Sequence, residues 1–188
     1  VTRARAVAAK ALSYGLDDVA DFGLRSPELQ PAWLPVEPYA VFFHATARAA
    51  KQWAPENWIQ LSKGIAARGM PILLPWGSDA ERSAAEALAA QMRNARVLPR
   101  LPLMEAVTLA QRAALAVGVD TGLTHIAAAF CRPTVELYCD SPRWKTEGNW
   151  SDNIINLGDA GRPPSVEEAE AAVTALIGRA PDSSATER

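Results

Sequence analysis

Between Tyr39 and Gly178 short apolar runs alternate with helical stretches, and this alternation limits the fold more than any other feature of the chain. The apolar runs are YAVFFH (39–44), PILLPW (71–76), ARVL (95–98), ALAVGV (114–119), PTVELYC (133–139) and NIINL (153–157). Most lack a polar alternation, so strands made from them are buried on both faces, which calls for a parallel sheet covered by helices on each side. The helical stretches supply that cover. PENWIQLSKGIAARG starts on a proline suited to a first turn and ends on glycine, and DAERSAAEALAAQMRN, LMEAVTLAQRA and GLTHIAAAF follow. In SVEEAEAAVTALIG, Ser165 precedes Glu168 by three residues, the spacing of a reciprocal N-terminal cap. The expected fold class is α/β, a Rossmann-like open parallel sheet of about six strands with helices on both faces.

The chain before Tyr39 reads differently. Residues 1–14 suggest a basic amphipathic helix with Val7, Ala11 and Tyr14 on one side, ended by Gly15. Residues 15–38 are rich in proline and aspartate and have no sustained periodicity, as expected of a connector. The organisation expected is a helix and linker over 1–38, one ligand-binding domain over 39–179 and a disordered tail over 180–188. A length of 188 residues, 49% of them hydrophobic, suffices for one well-buried domain. The chain opens on Val1 rather than methionine, which gives the expectation that it is the C-terminal part of a longer protein.

Charge and composition exclude some classes. A net charge of -2 without a basic stripe disfavours nucleic acid, and no apolar run nears the roughly 20 residues of a membrane span. Cys131 and Cys139 sit in apolar surroundings with no His/Cys cluster, which favours core packing in a reducing cytoplasm over a disulfide or a metal site.

In open α/β sheets ligands gather beyond the carboxyl ends of the strands, where strand order reverses. The first run delivers His44, Ala45 and Thr46 there, with Lys51 close behind; the second delivers Trp76, Gly77 and Ser78, with Glu81 beyond. The third brings Arg100 and Leu101, the fourth Asp120, Thr121 and Gly122, and the fifth Asp140, Ser141 and Pro142. First and fourth strands commonly flank the reversal, which sets HATARAAK against DTGLTH. Thr121 and Gly122 then open a helix whose unpaired N–H groups and partial positive charge suit phosphate oxygens. Lys51 and Thr46 add a cation and a hydroxyl from across the crevice. Asp120 suits sugar hydroxyls better than phosphate, and His125 lies one turn after Thr121 on the same helix face.

Each residue also has a plainer reading. Asp120 or Thr121 can be a helix cap, His125 a satisfied buried histidine, Glu81 a solvated helix-start carboxylate and Lys51 a surface cation. Trp53 and Trp58 read as packing; Trp76, at a strand end beside Gly77, is the tryptophan best placed for a ligand. Convergence on one edge favours the site.

No Gly-x-Gly-x-x-Gly follows the first strand, and there is no Gly-x-x-x-x-Gly-Lys loop, Gly-x-Ser-x-Gly elbow or paired-His metal spacing. HATARAAKQWAPENW, LLPWGSDAE, VLPRLPLMEAVTLAQRA and VGVDTGLTHIAAAFCRPTVELY instead resemble the donor-binding half of the bacterial lipopolysaccharide heptosyltransferases, glycosyltransferase family 9, which have the GT-B architecture. The likeness covers residues 1–178, more loosely over the opening helix and connector, and is closest to the branch acting on Kdo2-lipid A.

That resemblance implies inverting transfer of L-glycero-D-manno-heptose from ADP-heptose to Kdo2-lipid A, without metal or cofactor. The same resemblance implies a place in the cytoplasm, at the inner-membrane face. Residues 39–179 would be the nucleotide-sugar donor domain, and an acceptor domain carrying the catalytic base would precede Val1, leaving no base in this chain. The family pattern gives the donor phosphates to Thr46, Lys51, Thr121 and Gly122, with Lys51 stabilising the leaving charge. It sets Glu81 near the ribose, Leu101 at the adenine, and Asp120 and His125 beside the pyrophosphate and sugar; Trp76 and Gly77 adjoin them. Ala47 departs from the second threonine of many relatives, as does RAA from their acidic residues before the lysine. The last helix would pack on the acceptor domain. Two other readings remain open at this level, a nucleotide-sugar 2-epimerase-like domain, which would prefer UDP, and a non-catalytic nucleotide-binding module.

Overall fold

The computed structural model describes residues 2–16, 22–25 and 29–179. The tail at 180–188 lies outside the described residues. Helix α1 spans Thr2–Leu12. Strands β1 (Ala40–Phe43), β2 (Ile72–Leu74), β3 (Ala95–Val97), β4 (Leu115–Val119), β5 (Thr134–Tyr138) and β6 (Ile154–Gly158) alternate with helices α2 (Pro55–Ala66), α3 (Asp79–Ala89), α4 (Leu103–Arg112), α5 (Gly122–Ala129) and α6 (Val166–Ile177). All six expected strands are present, trimmed by a residue or two at most ends. Two single 3₁₀ turns, Ala49–Lys51 and Arg143–Lys145, lie in the loops after β1 and β5.

The sheet is wholly parallel, in the order β3-β2-β1-β4-β5-β6. The order reverses between β1 and β4, where Phe43 stands opposite Gly118. Alternate residues of β1 enter different cores. Ala40 and Phe42 join α2, α3 and α6, whereas Val41 and Phe43 join α4 and α5. Burying each large side chain on this two-faced strand contributes roughly 1.5–3 kcal/mol, so sequence and topology agree without a polar face to choose between.

Trp53 and Trp58 are packing residues, edge to face at 5.2 Å, with the Trp53 indole N–H donating to Pro164 O at 2.9 Å. Cys139 is buried, Cys131 half-buried, and both are free thiols. The last helix departs from expectation. Ala169, Ala172, Val173 and Leu176 of α6 are buried in the core beside α2, so its apolar face is covered by this chain's own sheet. The connector is likewise not loose at its end, because Trp33 and Leu34 pack on the second core and Trp33 Nε1 donates to Glu105 Oε2 at 2.6 Å. Among the described residues no helix is long and apolar enough to cross a membrane.

Candidate functional site

Because β1 and β4 are hydrogen-bonded neighbours, the loops leaving their carboxyl ends rise side by side. The first carries Thr46 and the turn ending at Lys51; the second is Asp120-Thr121, leading into α5. Close approach of α5 depends on Gly118. A Cβ there would lie 2.1 Å from Thr124 Oγ1 and 2.8 Å from Phe43 Cβ, while Thr124 Oγ1 donates to Val119 O at 2.9 Å.

Lys51 Nζ donates to Asp120 Oδ2 at 2.6 Å. Asp120 Oδ1 faces His125 Nε2 at 2.9 Å and accepts from Thr146 Oγ1 at 3.2 Å. The other imidazole nitrogen, Nδ1, stands 2.9 Å from Glu136 Oε1. Glu136 is fully buried, and its Oε2 accepts from Tyr138 OH at 2.8 Å and from Gly148 N at 3.0 Å. A line of alternating charge thus runs from the crevice into the sheet: Lys51, Asp120, His125, Glu136.

Burial opposes ionisation of Asp120, but the Lys51 ammonium, helped by His125, outweighs it and holds the carboxyl far below the usual range. Burial also disfavours the His125 imidazolium; Glu136 first and Asp120 second overcome that and raise its pKa above 6.5. A doubly protonated ring is the state in which both nitrogens donate to carboxylates.

Asp120 is therefore not a helix cap. The capping position of α5 is Thr121, whose side chain makes no cap hydrogen bond, while α3 and α6 each begin with a complete capping box. The first turn of α5 begins at the exposed Gly122 and is open to an oxyanion beside Lys51.

The remaining expected residues line two adjoining cavities. One of about 360 Å³ is bounded by Phe43, Trp76, Gly77, Leu101 and Thr121, with Ala45 and Glu81 at its side. Its walls are mainly apolar, apt for a planar base. Trp76 lines it, its indole N–H donating to Leu98 O at 2.6 Å and the Arg82 guanidinium lying 5.5 Å from its ring centre. The other, about 410 Å³, lies between α2 and α3, with Thr46 on its wall and Ala45 and Glu81 again shared. Glu81 is a capping residue in addition: its Oε2 accepts from Gly77 N at 2.7 Å and Ser78 N at 3.2 Å. His44 is buried and held neutral by that burial, its pKa below 6.5.

Sequence reading missed Glu136, Tyr138, Thr146 and Gly118. Glu136 did leave a signal: in PTVELYC it is the one charge inside a run otherwise fit for burial, and a buried charge requires partners. Gly118, a glycine within an apolar strand, signals close backbone approach. Thr146 had none, being brought over Asp120 by loop geometry.

His125 has a carboxylate on each nitrogen, so Asp120, His125 and Glu136 form a hydrogen-bonded chain rather than a cage, and among the described residues no His, Cys, Asp and Glu group is arranged to hold a metal.

Comparison with known proteins follows the same lines. The profile of glycosyltransferase family 9 (heptosyltransferase) matches residues 1–174. A lipopolysaccharide heptosyltransferase 1 of Pseudomonas aeruginosa is 44% identical over 139 residues, which is 73% of this chain and 39% of that protein. The matched stretch thus spans less than half the length of these curated relatives. The structure of the Escherichia coli heptosyltransferase WaaC with ADP superposes with a TM-score of 0.70 at 28% identity, covering 89% of this chain and 53% of that one. A UDP-GlcNAc 2-epimerase from Methanocaldococcus jannaschii shares the fold alone, with a TM-score of 0.55 at 14% identity over 77% of this chain and 40% of that one. With the family profile matching this chain almost end to end and GT-B neighbours superposing on its six-stranded sheet, the chain belongs to glycosyltransferase family 9, the heptosyltransferases.

Proposed function

We propose that this chain is the donor-binding half of an inverting heptosyltransferase that moves L-glycero-D-manno-heptose from ADP-heptose to Kdo2-lipid A, in the cytoplasm at the inner-membrane face. The observation that carries the reading is the open first turn of α5 beside Lys51 and Asp120, next to a mainly apolar cavity bounded by Trp76 and Leu101. A nucleoside diphosphate fits that order of chemistry: base in the cavity, ribose toward Glu81, diphosphate over Thr121 and Gly122. The relatives' ties to lipopolysaccharide and ADP supply the sugar and base.

Transfer forms a bond from the acceptor hydroxyl oxygen to the heptose anomeric carbon and breaks that carbon's bond to the β-phosphate oxygen, leaving that oxygen's charge to Lys51 and the α5 amides. Proposed Thr46 contacts strengthen the same hold. No metal or cofactor is part of the proposal. Asp120, held ionised with three donors around it, is a poor proton acceptor; the base that activates the acceptor hydroxyl is assigned to the acceptor half.

Calorimetric titration with ADP, UDP and NAD tests the reading. ADP is expected to bind in preference to the others and to be lost in Lys51→Ala. Preference for UDP would instead favour epimerase-like chemistry, and no nucleotide binding by the intact protein would overturn the proposal.

A further inference from the structure

We infer that Glu136 is a positioning residue for the donor site, keeping Asp120 fixed and charge-balanced when Lys51 turns from it to the donor diphosphate. The inference rests on the donor reading above but concerns a residue outside the crevice.

Glu136 acts along two routes that meet at Asp120. Through Oε1 it holds His125 Nδ1 at 2.9 Å, and the same ring presents Nε2 to Asp120 Oδ1 at 2.9 Å. Through Oε2 it accepts from Gly148 N at 3.0 Å, anchoring the loop whose Thr146 Oγ1 reaches Asp120 Oδ1 at 3.2 Å. Asn156 holds the same point of that loop, Nδ2 donating to Gly148 O at 2.5 Å. Neither route touches the cavity that suits the base.

Charge counting shows why this matters. Lys51 and His125 balance Asp120 and Glu136 in the free protein. A diphosphate draws Lys51, leaving His125 as the only cation among the described residues that is paired with the two carboxylates. A neutral imidazole has one N–H and one lone pair, so it can satisfy only one of them and repels the other. Asp120 would then recapture Lys51 and the donor would lose its cation. The ionised or titratable groups facing His125 are Glu136 and Asp120 directly, with Tyr138 beyond Glu136 and Lys51 beyond Asp120. Glu136, buried where it cannot meet solvent or substrate, keeps the ring charged.

The test is His125 titration by carbon NMR, with ADP calorimetry from pH 6 to 9, on the wild type, Glu136→Gln and His125→Gln. Affinities are read as ratios to wild type, which cancels the ionisation of ADP itself. Glu136→Gln is expected to lower the His125 pKa by about a unit or more. Its ADP affinity should stay within about threefold of wild type at pH 6 and fall about tenfold below it by pH 8.5. His125→Gln should bind weakly at every pH. An unchanged imidazole pKa, or an affinity ratio for Glu136→Gln that does not vary with pH, overturns the inference. If Glu136→Gln does not fold, a folded His125→Gln that binds ADP as tightly as wild type at pH 6 overturns it equally. Failure of the wild type to bind ADP at any pH removes the donor reading and this role together, and the imidazole titration then still shows whether Glu136 governs His125.

Discussion

Lys51 Nζ lies 2.6 Å from Asp120 Oδ2, joining the loops after β1 and β4 across 69 residues of chain. The pair makes the two residues' roles separable. Lys51→Ala is expected to weaken ADP and ADP-heptose alike, by roughly 10- to 100-fold for a lost charge-assisted contact. Asp120→Ala frees Lys51, so ADP should bind as well as before or better while ADP-heptose loses affinity. Equal losses of both ligands in both variants would refute the division; calorimetry measures it.

Glu81 both closes the capping box of α3 and borders the two cavities. Ser78→Ala and Glu81→Ala should each cost about 1 kcal/mol of stability as cap losses. Only Glu81→Ala should also weaken ADP, and it should spare pyrophosphate. Parallel loss of ADP in Ser78→Ala would show that the cap, not the carboxylate, is what the nucleotide needs.

The two histidines have opposite signs in the pH dependence of folding. Burial, opposed by Glu136 and Asp120, leaves His125 with a folded pKa above 6.5, so its contribution is complete below 6.5 and is lost as pH rises through the folded value. Burial lowers His44, so its contribution is present above 6.5 and is lost as pH falls through its folded value. Urea midpoints between pH 5 and 8.5 should therefore peak near 6.5, and His44→Gln should remove the decline on the acid side. A midpoint that rises steadily to pH 8.5 would contradict the His125 assignment.

Gly118→Ala should destabilise by about 1–3 kcal/mol, the usual cost of overpacking a filled core. The added methyl would meet Thr124 Oγ1 and Phe43 Cβ, pushing α5 off the strands that aim it. A lower urea midpoint with unchanged slope is expected; an unaltered midpoint would mean that α5 is not held as closely as its contacts indicate.

Much of this arrangement is legible in the chain itself. The apolar runs specify buried parallel strands, and DTGLTH falls where the fourth must hand over to a helix. Two kinds of information escape. The direction in which α6 presents its apolar face depends on which side of the sheet remains uncovered, a property of the whole topology and not of SVEEAEAAVTALIG. Asp120 is ambiguous in sequence because a carboxylate before a helix is most simply a cap; only the arrival of Lys51, His125 and Thr146 from three places in the chain decides its partners. Glu136 was readable as an anomaly, though not as an answer.

The strand order has a consequence for synthesis. β1 leaves the ribosome before its partner, because one whole side of it pairs with Leu115–Gly118, about 75 positions later. Until that partner emerges, Ala40–Phe43 shows a hydrophobic, hydrogen-bond-hungry edge, the kind of surface that chaperones and other nascent chains find first. The crevice therefore comes into being in one late event, when β4 docks, and a truncation before Leu115 leaves an adhesive half-sheet rather than a weaker binder.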